Sequence, residues 1–154
     1  MASYAARISS LQGMINAYQA QISRANEAME SLQAFKGVIE RYQSDYHSCM
    51  SAKKSALAQV DPYCVNTECN AKYQEGMSTR LNGIGALSVS ATYIAFLAAI
   101  NARILLYRTQ MSSLRSMINS CNNSINSLRE QERQENERLE RERQERERQA
   151  QNQQ

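Results

Sequence analysis

In 154 residues the chain has no tryptophan, two phenylalanines, one histidine, one proline and five glycines. Each shortage excludes something. An all-β or loop-rich fold needs frequent turns, so one Pro and five Gly point to long helices instead. Large apolar anchors are scarce, and eight tyrosines only partly replace them. A metal site or a Ser/His/Asp relay built on His47 would need convergent partners that a pair of helices does not offer. Beside Asp45 and Ser48, His47 reads as a surface or interface residue. No glycine-rich phosphate motif, no H-E-x-x-H and no paired acidic cluster is present. The chain is expected not to be an enzyme, with no catalytic residue, metal or cofactor.

Charge is also weak, at +3. Residues 129–148 hold seven Arg and eight Glu, net −1, which leaves +4 for the rest. The remaining eleven Lys and Arg form no clustered stripe. A nucleic-acid footprint is not expected. Met1 to Ser10 has no basic start followed by an apolar run, so no secretory signal peptide is expected. The expected location is the cytoplasm, with export by a signal-independent machine left open. Four cysteines in a chain this long do not make a disulfide scaffold. Cys49 and Cys121 read as small apolar seam residues, reduced by default. Cys64 and Cys69, spaced C-x4-C, could form a local disulfide; no His or second Cys pair lies near enough for zinc.

What the chain does have is periodicity. Ile104, Tyr107, Met111, Leu114, Ile118, Cys121, Ile125 and Leu128 fall at alternating steps of 3 and 4. That is the period of one helix lying along another. A second seam, Ile8, Leu11, Ile15, Tyr18, Ile22, Ala25, Met29 and Leu32, repeats it. If the chain folds back, Leu11 faces Ile125 and Leu32 faces Ile104, with the turn near residue 68. The expected fold is all-α: a long antiparallel two-helix hairpin over residues 1–128, with a tail over 129–154. Its arms span about 3–60 and 71–128, and its tip, DPYCVNTECN, spans 61–70.

Ser3 is the expected N-cap of the first arm. After Leu32 the stripe reads as slipping by one residue, so that Phe35, Ile39, Tyr42, Tyr46 and Cys49 take over from Lys36 and Gln43. The arm can run to Val60, where Asp61-Pro62 stops it. Asn66, Thr67 and Asn70 are usable caps for the return, and Glu68 suits its positive end. Tyr63-Cys64-Val65 could pack onto the helix ends. Asn82-Gly83-Ile84-Gly85 predicts a kink or break.

From Leu81 to Ala102 no charge appears for 22 residues. That length could span a bilayer. Asn82, Ser88, Ser90, Thr92 and Asn101 make it only moderately apolar, and a helix buried on more than one side is the better account. The intrachain seam would use Ala86, Ser90, Tyr93, Leu97 and Ile100. Left over is a second stripe of Leu87, Ile94, Ala98 and Leu105, with Phe96 and Leu106 beside it. Ala91, Ala95, Ala98 and Ala102 would let another helix approach closely. An uncovered stripe of this length is an expected partner-binding surface. The expected partner is another helical protein, or a second copy of the chain in a self-assembling coiled coil; no nucleic-acid partner is expected.

Beyond Leu128, residues 129–148 place opposite charges at i,i+3 and i,i+4, as in Glu137–Arg141 and Glu142–Arg146. They read as a solvated helical extension grading into the disordered end AQNQQ, or as a recognition tail.

The layout resembles the small all-helical proteins encoded beside LXG-type toxins in Gram-positive bacteria, relatives of the Esx/WXG secretion partners. The likeness covers about residues 4–128. It rests on the Ile8, Leu11, Ile15 and Ile22 spacing, the Tyr42-Gln43-Ser44-Asp45-Tyr46 segment, and the mid-chain turn. The Met77…Leu81…Ile84-Gly85 pattern and the heptad from Ile104 add to it. The resemblance implies binding to the helical N-terminal domain of a toxin and help with its export by a type VII system. Cys69-Asn70-Ala71 stands about where that group's W-x-G turn would fall, and no Y-x-x-x-D/E export signal follows any tyrosine.

Overall fold

The computed structural model describes residues 3–60 and 67–151. Among them every regular element is an α-helix: α1 (Tyr4–Ala58), α2 (Thr67–Asn82) and α3 (Ile84–Gln151). The expectations for Tyr63, Cys64, Val65 and Asn66 lie outside the described residues.

The helix ends follow from local chemistry. The Ser3 hydroxyl accepts the Ala6 N–H at 3.3 Å, and its carbonyl accepts the Arg7 N–H at 3.2 Å, so the first turn of α1 is capped. At the other end α1 stops at Ala58, two residues before the expected Val60. The Gln59 N–H is shared between the Ser55 and Ala56 carbonyls, and the Val60 N–H reaches Leu57 at 3.3 Å. The last turn tightens before the helix is lost.

Between α2 and α3 a single residue, Gly83, falls out of the helix. A Cβ there would stand 2.5 Å from the Thr79 carbonyl oxygen, whereas one on Gly85 would meet nothing within 4 Å. The break therefore sits on the first glycine of the pair. Its carbonyl accepts the N–H groups of Ala86 and Leu87 at 3.1 and 3.2 Å, which starts α3. The Asn82 amide donates to the Ser78 carbonyl at 3.1 Å, near the end of α2.

The chain divides into two compact units, Met1–Asn26 with Arg108–Gln154 and Glu27–Tyr107. In the first, Ala25, Met111, Leu114, Cys121, Ile125 and Leu128 are buried. Ile8, Leu11, Ile15, Tyr18, Ile22 and Ile118 are half-buried. Leu11 lines one groove with Ser124 and Leu128, and Ile15 lines another with Ile125. Pairing runs a turn past Leu128. Glu132 is half-buried. Hydrogen bonding toward the Glu135 carboxylate, then desolvation and the Glu135 charge, pushes the Tyr4 phenol above its ordinary value.

In the second unit Leu81, Ile100 and Ile104 are buried. Met29, Leu32, Ala86, Ser90, Tyr93, Leu97 and Tyr107 are half-buried. Tyr46 locks the contact: its hydroxyl donates to the Ala86 carbonyl at 3.1 Å, and its ring lies 6.0 Å from that of Tyr93. The Gln74 amide donates to the Val60 carbonyl at 3.0 Å.

The expected phase slip after Leu32 does not occur. Lys36, Ile39, Gln43, Tyr46 and Met50 are half-buried at the original heptad spacing, while Phe35, Tyr42 and Cys49 are exposed. Cys49 is thus not a seam residue. The facing positions on α3, from Ser90 through Ile100, keep their 3,4 steps. A slip in one helix alone would lose register with them. Lys36 is half-buried in its place, with its amine 3.6 Å from Glu40.

Residues 129–150 continue α3 as helix. Arg133 meets Glu130 at 2.7 Å, Arg141 meets Glu137 at 3.8 Å, and Glu142 pairs with Arg138 at 3.7 Å rather than with Arg146. The hydrogen bonds from Arg133 and then Gln134 hold the Glu130 carboxyl below the usual range, and the same bond raises Arg133.

Candidate functional site: the exposed apolar faces of α3

Seam and outer faces of α3 alternate along one helix. In the second unit the seam takes Ala86, Ser90, Tyr93, Leu97, Ile100 and Ile104, which are half-buried or buried. Every residue singled out as partner-binding is exposed: Leu87, Ile94, Phe96, Ala98, Leu105 and Leu106. Ile94 is 62% exposed, Leu105 64% and Phe96 52%. Ile84 and Val89 are exposed too, and sequence reasoning did not include them. Their signal was present, since both lie in the uncharged run and off the heptad.

The exposed residues do not form one line. At about 100° per residue, Leu87, Ile94, Ala98 and Leu105 share a narrow strip, with Ala91 and Ala102 at its edge. Phe96 is turned about 200° from Ile94, and Leu106 about 100° from Leu105. The apolar surface therefore wraps past both sides of the seam rather than forming a single stripe. By length and composition alone this run is long and apolar enough to cross a membrane, with 6% of the window buried.

His47 is exposed, its ring edge-on to Tyr46 at 5.8 Å. Among the described residues no group of three or more His, Cys, Asp or Glu side chains converges on one point. Cys121 is buried in the seam, and Cys69 is exposed. Arg103 lies over the Tyr107 ring at 4.9 Å and covers one edge of the seam. No protein family, curated protein or solved structure matches this chain.

Proposed function

We propose that this chain is a non-enzymatic adaptor: an antiparallel helical hairpin whose α3 strip binds the helical domain of another protein. One observation carries the reading. α3 keeps Leu87 and Ile94, in a run with no charged side chain, and Leu105, just past Arg103, in solvent on one strip beside small alanines. A surface of this kind is stable in water when a second helix covers it. Tyr46 supports a water-soluble setting over a membrane span. It ties this run to a helix whose neighbouring positions, Glu40, Arg41 and Asp45, are charged and exposed.

The partner we propose is the N-terminal helical domain of an LXG-type toxin exported by a type VII system, from the resemblance over residues 4–128. The test is co-expression of the chain with such a domain. Wild type should co-purify with it. Ile94→Glu with Leu105→Glu should lose the partner while keeping the helical circular dichroism of the wild type. Co-purification that survives the double substitution would place the interface elsewhere. A stable homotetramer or filament of the isolated chain by light scattering would favour self-assembly.

A further inference from the structure

Around the Gly83 break, α1, α2 and the first turns of α3 line a groove of about 640 Å³, within the size range of small-molecule sites. Its apolar walls are Met50, Leu57, Val60, Met77, Leu81 and Val89. Two of these are methionines, whose unbranched thioethers adapt to irregular apolar shapes. The charges on the lining have one sign. Lys53 and Arg80 both line it, and among the described residues no carboxylate does. Neither cation is in an ion pair among the described residues. The N-terminal turn of α3 adds Gly85 and Ala86 to the wall. Gly85 also keeps that side open, since nothing stands within 4 Å of where a Cβ would be.

An apolar trough carrying two cations is complementary to one class of molecule. We propose that this groove binds an anionic single-chain amphiphile, its tail against Met50, Leu57 and Met77 and its carboxylate held by Lys53 and Arg80. The guanidinium offers a planar fork to the carboxylate, and the lysine a mobile point charge. This site is independent of the α3 strip and does not rest on the adaptor reading.

The test is calorimetric titration of the full chain with dodecanoate below its micelle concentration, beside dodecyltrimethylammonium of the same tail length. Dodecanoate should bind saturably at a single site, and the ammonium about tenfold more weakly or not at all. Replacing both cations, Lys53→Glu with Arg80→Glu, should weaken dodecanoate by about tenfold, since two attractions become repulsions. Both side chains are exposed, so this variant should fold. Ile94→Glu with Leu105→Glu should bind as wild type does. Absence of saturable binding, equal binding of the two head groups, or unchanged binding in the charge-reversed variant would each overturn the assignment. So would loss of binding in the strip variant.

Discussion

The two compact units are built from the same two long helices, yet they treat apolar side chains in opposite ways. The unit of residues 1–26 and 108–154 buries Ala25, Met111, Leu114, Cys121, Ile125 and Leu128, and leaves Met14, Met117 and Leu139 as its exposed large hydrophobics. Among its described residues the unit of residues 27–107 buries only Leu81, Ile100 and Ile104. It exposes Phe35, Tyr42, Tyr73, Ile84, Leu87, Val89, Ile94, Phe96, Leu105 and Leu106. A heptad seam needs only one narrow face of each helix. In the first unit the other faces are mostly polar, Ser, Asn, Gln, Arg and Glu. In the second, the outer faces of α3 from Ile84 to Leu106 are largely apolar and stand in water.

The largest effect should come from breaking the first unit at its core. Leu114 is 7% exposed and Leu105 is 64% exposed. Leu114→Ala should cost about 2–3 kcal/mol in urea unfolding followed by circular dichroism, the lower part of the range for buried leucines. Leu105→Ala should change stability by less than about 0.5 kcal/mol. Equal losses would mean that the two units do not differ in how they use their leucines.

A smaller effect separates the two glycines of the second unit. Gly83→Ala drives a methyl against the Thr79 carbonyl oxygen, 2.5 Å away, and should destabilise by about 1–3 kcal/mol. Gly85→Ala enters open space within α3 and should stabilise by about 0.5–1 kcal/mol, read as a rise in melting temperature. The reverse order would move the break to Gly85. The same Gly85→Ala change narrows the groove beside Lys53 and Arg80, so it also tests how much room that site needs.

The smallest effect is electrostatic and belongs to the first unit. The Glu130 carboxyl is held below its ordinary value, first by Arg133 and then by Gln134. A lowered carboxyl favours the folded ionised state. Its contribution is present above the unfolded carboxylate value and is lost as pH falls through the lowered folded one. Amide exchange in residues 129–148 should therefore show less protection at pH 3 than at pH 6, beyond the intrinsic pH dependence of exchange. Glu130→Gln should remove part of the difference. The second unit's α3 run has no charged residue between Leu81 and Ala102 and should show no such step there.

Much of this was legible in the residues. The 3,4 steps from Ile104 to Leu128 coincide with positions that are buried or, at Tyr107 and Ile118, half-buried, because a repeat near 3.5 can be satisfied only on one helix face. The Ser3 cap and the break at Asn82-Gly83 were also readable, since each depends on neighbours within four residues. The phase after Leu32 was not. Phe35, Tyr42 and Cys49 are more apolar than Lys36 and Gln43, and composition alone favours them for the seam. The facing helix decides otherwise, because register is a property of two helices. Phe96 illustrates the same limit at the candidate interface: proximity in sequence put it beside Ile94, and helix rotation puts it on another face.

The sequence by itself thus determined that this chain is helical, where α1 starts and where the α2–α3 helix breaks, and that residues 81–102 hold more apolar surface than one seam can use. Those properties come from local capping, glycine and periodicity. Only the tertiary structure decided which residues of α1 after Leu32 enter the seam and that burial reaches Glu132. It alone revealed that Lys53 and Arg80 share one apolar groove. Each of those depends on what stands opposite, and a single helix carries no record of the face it will meet.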